Sequence, residues 1–303
     1  MRKIYFVLSI IFLAACSKQT DVPYINTNIV ESFSITYFNI TGIPLTTENF
    51  SLENNKIANV TILNHSNNEI SNTTYNYSSD KLTKIVSTKN NVETSVTELV
   101  YNDNQLSEIS FIKNDNLDGT NILKVNYTND LNSMLFSSKN NSNDEISNGT
   151  ITLDTNNNRI YFEENDLINN QTKVIQTEYD TTNNPKKEIF FSKDNNTLHL
   201  NFSNTITHNS ERNTLYNIYE NTYSKRTLML IYHLQSKAIN NINTKNISPN
   251  IVSEFHSSFA DNFQFKIDNT ITNDGYLEKG IYKYYDNNSN LISHFEIEFS
   301  FKN

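Results

Sequence analysis

Chemistry in this chain would have to come from six histidines (65, 199, 208, 233, 256 and 294), many carboxylates and one cysteine. The histidines stand apart, with no HExxH and no pair at helical spacing, so no zinc-type ligand set is written into the order. Five glycines leave no GxGxxG, P-loop or GxSxG elbow. The stretch "NDNLDGT" (114–120) comes nearest to a cation loop, with Asn114, Asn116, Asp118 and Gly119 in the first, third, fifth and sixth places. The first place normally holds Asp, and the twelfth, normally Glu, is Val125, so a plain hairpin turn is expected. Carboxylates sit mainly in turns, and no two stand out as the pair that cleaves a glycosidic bond. No catalytic, cofactor-binding or metal-ligating residue is therefore assigned.

The cysteine is different. Arg2 and Lys3 precede "IYFVLSIIFLAA" (4–15), an apolar run too short for a typical membrane span. It ends in Leu13-Ala14-Ala15-Cys16, which resembles a bacterial lipobox, in which the cysteine is diacylated and becomes the mature N-terminus. That resemblance implies a signal peptide over 1–15, a lipidated Cys16, a tether over 16–30 and outer-membrane lipid as a partner. Ser17 and Lys18 follow with no Asp directly after the cysteine, which by the same resemblance favours the outer membrane. "SKQTD" (17–21) carries only Asp21, so exposure on the surface or to the periplasm stays open. No later apolar run reaches 18 residues, and a lone cysteine rules out a disulfide or a CxxC motif. The formal charge is −9 and becomes more negative once Arg2 and Lys3 are removed. With no basic cluster to offset it, phosphate backbones are repelled and nucleic acid is excluded.

These residues need a scaffold, and the chain repeats one. The last apolar residue before each Asn/Asp/Ser turn falls at Leu52, Tyr77, Tyr101, Tyr127, Leu153 and Tyr179, spacings of 24 to 26 residues. Before each turn apolar residues alternate, as in Leu123, Val125 and Tyr127, the period of a half-solvated antiparallel strand. After it, Leu82/Ile85 and Leu106/Ile109 lie three apart, which predicts that the leucine belongs to a turn or bulge. A second polar cluster closes every unit, giving a meander of hairpins rather than a crossover fold. The tyrosines recur at the inward phase, so core packing is their expected role. The 17 Tyr and 18 Phe set against 5 Gly, 4 Pro and no Trp argue against disorder.

The expected fold is all-β, an antiparallel meander with a period of about 25 residues, curled or barrel-like. One domain covers 31–303, with regular repeats over 48–203, an irregular insertion over 205–262 and closing strands over 263–301. Within the insertion, near-helical spacing of apolar residues predicts a helix or irregular plug near 226–240.

"YNDNQLSEI" and "YSSDKLTKI" look like degenerate YD-type repeats. With the lipobox, the late "NDGYLEKGIYKYYDNNSN" and the closing strand, the chain resembles a Bacteroidota outer-membrane lipoprotein family of unknown function with a porin-like β fold. The glycine of the D-x-x-G-x-L turn is replaced by Asp, Asn or Lys; Asn tolerates left-handed backbone, so the turn geometry is expected to survive. The family brings no catalytic residue. In such a setting Asp180-Thr181-Thr182 resembles an O-glycosylation sequon, with Thr181 as acceptor. The resulting expectation is a non-enzymatic binding or structural module whose ligand is a glycan or an envelope protein. The alternatives are a glycan-binding accessory of an outer-membrane uptake system and an envelope glycan hydrolase using carboxylates on a concave face. A local site is expected where the rhythm breaks, around 205–262.

Overall fold

Asparagine and aspartate turn this chain. Four two-residue turns hold both central residues at positive φ: Asn54 and Asn55, Ser79 and Asp80, Asn90 and Asn91, Asp103 and Asn104. This is type I′ geometry, whose twist matches that of the flanking strands. Asn and Asp enter the left-handed region far more readily than other side chains do. Longer turns open on a carboxylate that gathers N–H groups two and four residues on. Asp154 Oδ1 accepts from Asn156 and Asn158 at 2.8 Å each. Asp180 Oδ1 does the same with Thr182 at 2.8 Å and Asn184 at 2.9 Å. Glycine is scarce because these turns do not need it.

The computed structural model describes residues 30–115, 119–130, 133–195, 197–234, 248–258, 264–286 and 288–302. Its strands are β1 (Val30–Phe38), β2 (Pro44–Glu53), β3 (Lys56–Asn64), β4 (Glu69–Ser78), β5 (Lys81–Lys89) and β6 (Val92–Asn102). β7 (Gln105–Asp115), β8 (Gly119–Asp130), β9 (Ser133–Lys139), β10 (Glu145–Leu153), β11 (Arg159–Asp166) and β12 (Gln171–Tyr179) follow. The last are β13 (Pro185–Asp194), β14 (Thr197–Arg212), β15 (Asn250–Ser257), β16 (Gln264–Ile271), β17 (Leu277–Tyr285) and β18 (Leu291–Phe301).

All belong to one 18-stranded sheet. Each strand up to β15 pairs antiparallel with its successor, β16 to β18 do likewise, and β18 returns to β1, with Phe33 opposite Phe299 and Ile35 opposite Ile297. Only β15 and β16 share no registered ladder among the described residues. The sheet is therefore a barrel closed except for one seam, as the hairpin meander predicts.

The three-residue spacing has a mechanical cause. Tyr77 pairs with Leu82 and Asn76 with Lys84, so Thr83 is a bulge, and Ser107 is skipped the same way between Leu106 and Glu108. The hydroxyl of each bulged residue donates to the carbonyl across the ladder, Thr83 to Asn76 O at 3.2 Å and Ser107 to Val100 O at 3.1 Å. Skipping one residue turns both Leu106 and Ile109 inward, and both are buried, as are Leu82 and Ile85. Tyr127 is buried, and Tyr75, Tyr77 and Tyr101 pack against the core, the role their phase predicts. The Tyr77 hydroxyl also donates to Ile57 O at 2.6 Å, tying one hairpin to the previous one.

One end of the barrel carries Val30, the two-residue turns after β2, β4 and β6, and the excursion between β14 and β15. That excursion caps this end from within. Helix α1 (Thr214–Tyr223) opens on Asn213, whose side chain accepts from the N–H groups of Leu215 and Tyr216. Ser224, at φ 63°, ends α1 and caps helix α2 (Lys225–Ile231), which a 3-10 turn (Tyr232–Leu234) prolongs. Helix α2 and the 3-10 turn stand where the plug is expected, α1 precedes them from Thr214, and residues 235–240 of the expected plug lie outside the described residues. Leu228, Leu230, Ile231 and Leu234 are wholly buried against the wall. Thr222 Oγ1 accepts from Ile57 N–H at 3.1 Å, and Thr214 Oγ1 donates to Leu277 O at 3.0 Å, so α1 spans the mouth from β17 to β3.

The outer wall is wet. Lys84 meets Glu98 at 3.2 Å, Lys124 meets Glu108 at 2.8 Å and Lys279 meets Glu296 at 3.1 Å, pairs worth little each in stability. Their place on the wall is informative, because a lipid-spanning barrel needs an apolar band there.

At the capped end, buried Asn184 clamps two segments. Its Nδ2 donates to Asn250 Oδ1 at 2.9 Å while its Oδ1 accepts from Asn250 N–H at 2.8 Å. Asn184→Ala strands those partners and is expected to cost about 1–3 kcal/mol. A lowered urea midpoint would show it, and an unchanged midpoint would remove the clamp from the stability account.

Candidate functional site

The bulged hairpins at the capped end offer two inward slots after the turn, three residues apart. β3 fills them with Ile57 and Val60, β5 with Leu82 and Ile85, and β7 with Leu106 and Ile109, all buried. β11 and β13 break the pattern. In β11 the slots hold Arg159 and Phe162, with Ile160 bulged between Arg159, opposite Leu153, and Tyr161, opposite Thr152. In β13 they hold Pro185 and Glu188. Arg159 and Glu188 are each only 3 % exposed, although both carry charge where sister hairpins carry aliphatic side chains.

Arg159 lies under the helical cap. Its Cζ is 4.3 Å from the centroid of the Tyr232 ring and 5.4 Å from that of Phe162, a cation between two aromatic faces. Its Nη1 is buried without a hydrogen-bond partner. The Tyr179 hydroxyl donates to Arg159 O at 3.3 Å. Burial pushes the Tyr179 phenol up, with Arg159 pulling it back and Glu188 and Asp154 pushing it further.

Glu188 stands in a buried polar row, between Thr177 on β12 and Asn204 on β14. The Asn204 Oδ1 has no hydrogen-bond partner. Farther along β14, His208 is held below its usual range by burial, against the pull of Asp180.

The cap contributes His233. Its Nδ1 meets Leu230 O at 2.7 Å, and its ring sits 4.7 Å from Phe136, 5.3 Å from Phe162 and 6.4 Å from Tyr127. Phe136 and Phe162 stack at 5.8 Å. The Tyr127 hydroxyl is buried without a partner, and burial holds its phenol protonated. Arg226 reaches over the same wall, donating from Nη1 to Asn157 Oδ1 at 3.4 Å.

This is a charged, aromatic-walled cluster enclosed by the cap. Its chemistry is that of holding: a guanidinium fixed on two rings, with buried acceptors on the neighbouring strands. No group of three or more His, Cys, Asp and Glu side chains is placed to hold a metal ion among the described residues. A cleft beside Val30, Asn217 and Tyr276 offers about 10 Å³, room for about one water.

Cys16 and the tether up to residue 29 lie outside the described residues. Thr181 is exposed in the β12–β13 turn. β7 and β8 pair down to Asp115 opposite Gly119, the hairpin expected at "NDNLDGT", with 116–118 outside the described residues. The expected location over 205–262 meets the cluster through Tyr232 and His233. Arg159 and Glu188 come from the regular repeats; aligning the first slot, five or six residues after each anchor, exposes Arg159, and aligning the second, eight or nine residues after it, exposes Glu188.

No family model matches the chain, and no curated protein matches it. Among solved structures, a porin-like protein from Bacteroides uniformis aligns over 90% of this chain and 98% of its own, at 11% identity and a TM-score of 0.45. A porin-like protein from Bacteroides vulgatus aligns over the same shares, at 7% identity and a TM-score of 0.29.

Proposed function

We propose that this is a lipid-anchored cell-envelope protein, held in the outer membrane through acylated Cys16, that works as a binding or structural module rather than an enzyme. The observation that supports this most is the capped interior. Leu228, Leu230, Ile231 and Leu234 are buried inside the capped end, so side chains occupy the space a channel would need. What such a body offers to a glycan or an envelope protein is its polar outer wall and the Asn- and Asp-rich turns of its capped end. Acylation of Cys16 would keep those surfaces at the membrane without a spanning segment.

Cys16→Ser is expected to abolish incorporation of labelled palmitate and to move the protein from the detergent phase to the aqueous phase. Unchanged partitioning would sink the anchor.

A further inference from the structure

The two ends of the barrel differ in what they show to solvent. Ile40 and Ile43 in the β1–β2 turn, Val92 at the β5–β6 turn, Ile168 in the β11–β12 turn and Leu200 near the start of β14 are each at least 60% exposed. All five belong to the end opposite the helical cap, which among the described residues is uncapped, as does Leu167 beside Ile168. Among described residues nearer the capped end, the large exposed aliphatics are Val100, Leu135 and Ile160, none above 49%.

We infer that the uncapped rim is a membrane-docking edge, whose aliphatic turn tips enter the headgroup region of a bilayer with zwitterionic lipid as the ligand class. Three features favour lipid over a protein. The side chains sit on four hairpins around the mouth, so a flat bilayer meets them together, whereas a protein would need a matching annulus. They are aliphatic, while protein hot spots favour Trp, Tyr and Arg. The outer wall carries ion pairs and the most exposed aliphatics are confined to the rim, which suits shallow contact rather than spanning.

Charge selects the headgroup. Glu69 and Lys89, near the rim, pair at 2.7 Å, and no basic cluster stands in the chain to demand anionic lipid. Reach adds support, resting on the anchoring reading above. Fourteen residues, Cys16 to Ile29, precede Val30, which lies at the capped end. At about 3.3 Å per residue a chain of that length reaches at most roughly 45 Å, more than the roughly 30 Å of a nine-residue strand. The membrane that holds the acyl chains is thus within reach of the rim.

The test places an environment-sensitive fluorophore on Ile168→Cys at the rim or on Asn221→Cys at the capped end, each in the full chain. Vesicles of phosphatidylcholine and phosphatidylethanolamine are the probe. The rim label is expected to shift to the blue and lose access to aqueous iodide, with the capped-end label unchanged. Adding Ile40→Lys and Leu200→Lys, both at exposed positions, is expected to abolish the rim shift while circular dichroism stays the same. A rim label that stays fully quenchable on vesicle-bound protein overturns the proposal. So does a rim label already shielded without vesicles at twice the monomer mass, which would make a second copy the occupant. Palmitate incorporation, read separately, reports the anchor, so failure of the rim and failure of the anchor give different results.

Discussion

Phe162→Ala is expected to cost about 4 kcal/mol of folding stability, within the range for deleting a buried aromatic side chain. The ring is 1 % exposed and touches three things at once. Phe136 stacks on it at an interplanar angle of 6°, His233 tilts over it at 35°, and the Arg159 guanidinium lies 5.4 Å from its centroid. Truncation would leave a hole at the joint between the barrel wall and the helical cap, where neither can collapse without pulling on the other. Urea unfolding with a fitted midpoint and slope measures it. A loss under about 1 kcal/mol would mean the joint relaxes freely, and the cap is not locked there.

Arg159→Leu is expected to act in the opposite direction, raising stability by about 1–3 kcal/mol. Replacing buried charge by an apolar group of similar volume is often stabilising on that scale. The equivalent slots at Ile57, Leu82 and Leu106 show that this wall accepts an aliphatic side chain there. The change forfeits the contact with Tyr232, about 1–2 kcal/mol, but removes the burden of a guanidinium whose Nη1 has no partner. Proteins keep such costs where a site is useful, so a gain in thermal midpoint would mark Arg159 as retained for something other than folding. A clear loss of stability would instead make it structural, fully compensated inside the cluster.

Much of the fold is legible in the sequence because it is built from local rules used repeatedly. Leu106 and Ile109 announce a bulge, Asn-Asp turns announce hairpins, and Tyr127 announces the inward phase. The part of the cap near 226 is legible in its helical spacing, but α1 ahead of it is not, because it buries Tyr216, Tyr219 and Tyr223 together with Thr222. Aromatic and β-branched residues read as strand, and only contact with the barrel interior overrides that preference. The strong start signal, Asn213 capping two N–H groups, is one residue type among many asparagines. Arg159 and Glu188 were hidden for another reason. Their hairpins use a longer turn, which shifts the slots by one residue, so the charges fall out of register with the leucines they replace. His233 joins them only through the fold, more than forty residues along the chain from either.

The ladder between β18 and β1 sets a clock. Val30 and Phe301 face each other across it, so the first strand made waits for the last before it gains its second neighbour. Hairpins can form as each 25-residue unit appears, since their contacts are local. Closure cannot, because it spans nearly the whole chain. Until then the nascent sheet presents an open edge at Phe33 and Ile35, the kind of edge that pairs with the wrong chain. For this molecule the vulnerable interval ends when residue 301 arrives, and a truncation of the last strand would prolong it indefinitely.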